Sequence, residues 1–353
     1  MKKIQLCILL LFLLCPLGLS IVTLAGGDRA FSENENRTLK RTADISGDLL
    51  TGAFQEDLTD CLSDQFPGRD RLTALSAGIA YVLGRRELGD TYIGEGCRLF
   101  QKYTESGLDR ASNLKYIGKL EKLTAETGVP VLVAPVPSAG CALPDLLPAH
   151  AQMYDYEELV DQYEQAAPSV HFIRLAHLLT DPDDYYLTDH HWTTRGAYRA
   201  YAEIIGEVPS YDSLEPVLVT DSFRGSLYSR VLLDRIPCDQ VFLVREPEGL
   251  TVTADGKPGS LYDMAALNRK DVYTVFQGGN YGILTVDNPN AERDDCLLIL
   301  KDSFCNALLP FLCKEYSRIV MIDERYTFAG LAELVSEYQA DTVLVVKEAC
   351  NLG

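Results

Sequence analysis

Apolar and polar positions alternate with a rhythm that changes along the chain. Leu49 to Leu62 and Asp70 to Leu83 place apolar residues at helical spacing, with Gln65-Phe66-Pro67-Gly68-Arg69 between them as a turn. They predict a helical pair. Asp90 to Phe100 predicts a short strand and turn, and Leu108 to Thr127 a helix ended by Gly128-Val129-Pro130. Val131 to Ala134 is then a short apolar run of the buried-strand type, followed by helix-like Tyr154 to Ala167 and a strand over Val170 to Leu175. Cys296 to Leu300, Ile319 to Ile322 and Asp341 to Val346 are further apolar runs, with helical patterns over Phe304 to Tyr316 and Thr327 to Tyr338 between them. Short apolar strands alternating with helices predict an α/β fold whose parallel sheet is flanked by helices on both faces. Residues 240–285 break the alternation. Val241 to Val244, Thr251 to Thr253, Val272 to Phe276 and Ile283 to Val286, punctuated by glycine, predict hairpins added to the sheet.

The N-terminus has a different pattern. Lys2 and Lys3 precede an uncharged run from Ile4 to Gly27, long enough as a helix for a hydrocarbon core of roughly 30 Å. It predicts an uncleaved membrane anchor with the rest of the chain outside the cytoplasm. A cleaved signal peptide is the rival, because Leu24-Ala25-Gly26 offers small residues. The expected organisation is an anchor or signal at 1–27, a linker and helical segment at 28–106, and an α/β domain at 107–353 with a hairpin insertion near 240–285.

Fifty-one acidic residues against thirty-two basic ones give the 353-residue chain a formal charge of -19. That balance argues against nucleic acid on a broad basic face and against docking on anionic headgroups. Of ten cysteines, Cys7 and Cys15 lie in the N-terminal run; the other eight show no CxxC pair. Both disulfides and buried thiols acting as small hydrophobes stay open. A zinc site has little support.

Two segments carry candidate chemistry. Thr188-Asp189-His190-His191-Trp192-Thr193-Thr194 holds two of the five histidines and the single tryptophan, just before a predicted helix over Arg195 to Ile205. An Asp two residues before a His can bond the ring Nδ1, fix its tautomer and stabilise the imidazolium. The same segment also reads as a capped helix start with Thr193 or Thr194 at the N-cap, or as a metal site on Asp189, His190 and His191. In the second segment, Leu300-Lys301-Asp302-Ser303-Phe304, a buried strand runs into a turn and then a helix. There an open parallel sheet presents its active site, although Asp302 or Ser303 could simply cap the helix. Taken together, Ser303 supplies a nucleophile and His191 a base oriented by Asp189.

These segments, with Phe31-Ser-Glu-Asn-Glu-Asn-Arg37, Asp64-Gln-Phe-Pro-Gly-Arg69, Gly196-Ala197 and Gly225-Ser226-Leu227-Tyr228, resemble the bacterial DHHW protein family. That family is similar to the SGNH-hydrolase-like proteins that O-acetylate alginate and related exopolysaccharides. The resemblance implies a permuted SGNH-hydrolase-like domain in which Asp189 and His191 precede the nucleophile Ser303. His190 would fill a variable position. For the oxyanion or the substrate it leaves Asn306, Asn280 with Gly279, Arg325 and Trp192 as candidates. It implies an extracytoplasmic acetyltransferase or esterase, a cell-surface polysaccharide as acceptor, and an acyl donor delivered through a membrane-bound O-acyltransferase. No metal or other cofactor is implied. Lys301 stands where the Gly of Gly-Asp-Ser would be, and it favours the alternative of a non-catalytic carbohydrate-binding or assembly protein with a degenerate triad. His150, His171 and His177 read as structural.

Overall fold

The computed structural model describes the whole chain except Met1, Glu33, Asn36, Leu49, Leu50, Glu207 and Phe328; for Lys2, Lys3, Cys7, Leu11, Leu13, Cys15 and Leu24 it describes the backbone alone. The chain divides into two compact units, Met1–Arg85 with Ser229–Arg235, and Arg86–Tyr228 with Ile236–Gly353.

The first unit contains helices α1 (Lys2–Ala25), α2 (Ala53–Asp64) and α3 (Arg69–Val82). Leu49, where the first helix was expected to begin, lies outside the described residues. The apolar N-terminal run does form a helix, with Pro16 inside it. Among the described residues, however, no helix is long and apolar enough to cross a membrane. This overturns the expected anchor, and with it the single-pass placement of the chain. Elsewhere in this unit the Phe31-to-Arg37 and Asp64-to-Arg69 segments bind one another. Arg37 reaches both Glu35 at 2.7 Å and Asp64 at 2.5 Å, Arg69 pairs with Glu35, and the Lys40 N–H donates to Asp64 at 2.8 Å. Two motifs without evident chemistry are thus the halves of one ion-pair network.

The second unit is built on an eight-stranded sheet. Helix α4 (Arg110–Thr127) starts at Asp109, whose side chain accepts from the Ser112 N–H, and stops at Gly128, whose positive φ of 70° suits a residue without a Cβ. Strand β1 (Val131–Val136), helix α5 (Tyr156–Ala166), strand β2 (His171–Phe172) and helix α6 (Thr194–Ile205) follow. Then come β3 (Thr251–Ala254), β4 (Lys257–Pro258), β5 (Ile283–Asp287), β6 (Arg293–Lys301), α7 (Cys305–Leu312), β7 (Tyr316–Ile322), α8 (Leu331–Tyr338) and β8 (Thr342–Glu348). The sheet order is β4-β3-β5-β7-β6-β8-β1-β2. Strands β7, β6, β8, β1 and β2 are parallel, and β5, β3 and β4 add to the β7 edge in antiparallel fashion. The sheet is therefore mixed: a parallel core, as expected, with the hairpin insertion added along one edge.

Side chains alternate across β6. Leu297 and Ile299 enter the core that contains Trp192, Ala197 and Leu308; Leu298 and Leu300 enter the one that contains Leu120, Leu159 and Leu334. Each such buried aliphatic side chain stabilises the fold by roughly 1.5–3 kcal/mol. Cys61, Cys296, Cys305, Cys313 and Cys350 are buried thiols.

Two predicted strands fold otherwise. Asp239–Leu243 pairs with Val217–Phe223 in a separate two-stranded sheet. Val272–Val275 is a 3₁₀ turn. Val272, Tyr273, Val275 and Phe276 are all buried, so the apolar run serves burial in a turn as well as it would in a strand.

Candidate active site

Strand β6 leads straight into Asp302-Ser303-Phe304 and then α7, so Ser303 sits at the carboxyl end of a central parallel strand. Asp302 ties this turn down. One carboxylate oxygen accepts from the Phe304 N–H at 2.9 Å, the other from the Glu348 N–H at 2.7 Å at the end of β8. Burial pushes the Asp302 carboxyl up, against these two bonds and the nearby His191 and Lys301. Glu348 is buried too. Its carboxyl is pushed up to about 7 by burial, opposed by hydrogen bonds from Tyr103 and Asn351.

The second half of the site is the turn between Tyr185 and Trp192, which face each other as an isolated antiparallel bridge. Its tip is stapled by Asp239, which accepts from the Leu187 N–H at 2.6 Å and from the Thr188 N–H at 2.8 Å. Thr193 caps α6, its Oγ accepting from the Gly196 N–H at 3.2 Å. The capped helix start and the candidate chemistry thus coexist.

The two turns meet. His191 Nε2 lies 2.7 Å from Ser303 Oγ, and His191 Nδ1 lies 2.6 Å from Asp189 Oδ1. Asp189 also accepts from the His191 N–H at 3.0 Å and, through Oδ2, from the Ser226 N–H at 2.7 Å. Burial alone would raise the Asp189 carboxyl. His190, His191 and the bonds from the His191 ring and the Ser226 N–H outweigh it and hold the group well below the usual carboxylate range. With the carboxylate accepting at Nδ1–H, Nε2 is the ring atom left to take a proton from Ser303.

The imidazole of His191 is clamped. Tyr273 stacks on it at 3.9 Å and 4° between planes, His190 lies 3.8 Å away on a tilt, and Phe304 meets it edge-on at 5.0 Å. Tyr273 also donates its hydroxyl to Ser303 O at 3.0 Å. Sequence reasoning missed Tyr273, because an aromatic in a β-branched run carries no local sign of what it will face. Gly225 and Ser226 were visible as a motif but not as the support of Asp189. A Cβ on Gly225 would lie 2.3 Å from Asp189 Cβ, so only glycine lets that backbone approach the carboxylate.

The remaining candidates divide. Trp192 is fully buried and donates its indole N–H to Phe304 O at 2.9 Å. It therefore braces the Ser303 turn and cannot touch a substrate. Asn306 is buried, with its oxygen accepting from Lys301 at 3.0 Å and its nitrogen donating to Asn280 Oδ1 at 3.2 Å. Asn280 is exposed, one residue after Gly279 (φ 141°), and its Oδ1 also accepts from Lys301 Nζ at 2.8 Å. Arg325 is turned onto Asp323, with bonds of 2.8 and 2.5 Å. His190 Nδ1 lies 2.9 Å from Ser226 Oγ. Asp189, His190 and His191 offer ligand atoms within 4.8 Å of one another, the spacing a metal ion would need, although those found here are engaged in the hydrogen bonds just described. Among the described residues nothing accepts from the Ser303 N–H or from Asn280 Nδ2. The Ser303 N–H, on the same residue as the hydroxyl, is left open for an anionic oxygen.

The family model of DHHW proteins matches residues 175–322, and that of the SGNH hydrolase-like domain of acetyltransferase AlgX matches residues 99–223. No curated protein matches the chain. Among solved structures, PatB1 of Bacillus cereus has 21% identity and a TM-score of 0.62, covering 74% of this chain and 97% of its own. The same protein with a sulfonyl adduct gives 20%, 0.61, 74% and 95%. A DHHW family protein from Eubacterium siraeum DSM 15702 gives 20%, 0.61, 74% and 91%. At these identities the structures speak for the fold alone. The resemblance to the DHHW family is borne out over residues 175–322, and residues 99–223 resemble the SGNH hydrolase-like domain.

Proposed function

We propose that this chain, with its DHHW match and SGNH-hydrolase-like fold, is a serine O-acyltransferase that moves an acetyl group to a hydroxyl of a polysaccharide. The observation that carries the reading is the unbroken line Asp189–His191–Ser303, with contacts of 2.6 and 2.7 Å. His191 Nε2 takes the proton of Ser303 Oγ as the oxygen bonds to the acyl carbon of an ester or thioester donor. The resulting oxyanion is held by the Ser303 N–H and Asn280 Nδ2. Collapse expels the donor's leaving group, which receives the proton from His191 and leaves acyl-Ser303. A sugar hydroxyl then gives its proton to His191 and attacks the acyl carbon, and Ser303 departs with that proton. Asp189 stays ionised throughout and stabilises the transient imidazolium. Water in place of the sugar would make the same site an esterase.

The AlgX match lends support to an acetyl group, and the sulfonyl adduct of PatB1 is the kind of group that sulfonyl reagents leave on an activated nucleophile. The test is turnover of p-nitrophenyl acetate by the purified protein. Ser303→Ala is expected to abolish it. An undiminished rate in that variant contradicts the reading.

A further inference from the structure

Lys301 is the residue that breaks the Gly-Asp-Ser pattern, and it is buried to 3% exposure. An ammonium group has a high desolvation cost there, so its partners matter. Asp323 is its ion-pair partner and the chief group opposing the downward push of burial. It lies 3.6 Å away, and Arg325 already occupies both its oxygens. The short bonds of Lys301 run to two amide oxygens, 2.8 Å to Asn280 Oδ1 and 3.0 Å to Asn306 Oδ1. An ammonium can only donate, so each amide must present its oxygen to it. For Asn306 this sends the nitrogen to Asn280 Oδ1. For Asn280, whose oxygen now has two donors, it leaves the NH₂ end without an acceptor among the described residues. Lys301 and Asn306 stand two residues before and three after Ser303, and the Asn306 N–H donates to Ser303 O at 3.2 Å, so the amide of Asn280 is bonded to residues on both sides of the nucleophile.

We infer that Lys301 is a positioning residue for the acyl-transfer step. It locks the Asn280 side chain with its NH₂ toward the developing oxyanion and polarises that amide through its charge. This rests on the acyl-transfer reading above. The lysine that first suggests a degenerate site is then part of the device that completes the oxyanion hole.

The experiment is a double-mutant cycle on the full chain, Lys301→Met, Asn280→Ala and both together, read as kcat and KM for p-nitrophenyl acetate, with melting temperature measured on each. Each single change is expected to lower kcat by about 100- to 1,000-fold, with KM within about threefold, in line with the loss of one oxyanion donor. The double variant should be no worse than the poorer single one, because both remove the same contact. Should Lys301→Met fail to fold, Asn280→Asp keeps the side-chain size and a partner for Lys301 but removes the donor, and it must show the same kcat loss. Folded variants with kcat within about twofold of the parent, or losses that multiply in the double variant, overturn the assignment. If Ser303→Ala abolishes turnover while these variants keep it, Lys301 alone loses its role. If Ser303→Ala keeps turnover, the underlying reading falls with it.

Discussion

His191 is fixed by contacts of four kinds: a carboxylate at Nδ1, a hydroxyl at Nε2, a stacked phenol on one side and aromatic neighbours around it. Such a ring loses little entropy when it takes up a proton in place, which is what a general base requires. Asp189→Asn keeps the shape but removes the charge and the tautomer control, and it is expected to lower kcat by about 10³- to 10⁴-fold with the melting temperature nearly kept. Steady-state kinetics on p-nitrophenyl acetate check it. Gly225→Ala is the complementary change. The new methyl meets Asp189 at 2.3 Å, so we expect about 1–3 kcal/mol lost in urea unfolding together with most of the turnover. At this scale the sequence was informative where residues lie close together, as Asp189 and His191 do. Tyr273, brought in from another segment, gave no local signal, and Ser226 stood in a motif whose contact with Asp189 was not legible.

At the scale of elements, the runs that became β6, β7 and β8 were legible because strands buried on both faces must be apolar throughout. The hairpin region was only half legible. β3 and β5 are strands as expected, but the 3₁₀ turn over Val272–Val275 shows tertiary burial overriding β-propensity. The end of β8 has a pH dependence of its own. With Glu348 at about 7 when folded and an ordinary value of 4.5 when unfolded, the folded chain holds a proton that the unfolded chain has released between these pH values. Stability therefore falls as pH rises from 4.5 to about 7 and is flat beyond. Glu348→Gln should remove this slope, matching the parent near pH 4 and exceeding it by up to about 3 kcal/mol at pH 8. Urea unfolding across that range reads it. A parent curve parallel to that of the variant would show that Glu348 is ordinary.

At the scale of the whole molecule, the alternation of strands and helices was enough for the α/β class and for the turn that ends β6. The N-terminal run shows where composition misleads. An uncharged stretch was read as a membrane anchor, and among the described residues no helix is long and apolar enough to cross one. The formal charge of -19 argues against a broad basic face for nucleic acid and names no substrate. The convergence of two turns 112 residues apart over the β6 edge could be expected from motif order, but only the fold brings them within hydrogen-bond reach. The most direct measurement of the central claim is peptide mass mapping after treatment with phenylmethanesulfonyl fluoride, with p-nitrophenyl acetate turnover followed in parallel. One sulfonyl group should appear on Ser303 as turnover is lost, and none on Ser303 in His191→Ala. Loss of turnover with Ser303 unlabelled, or Ser303 labelled equally without His191, would contradict it.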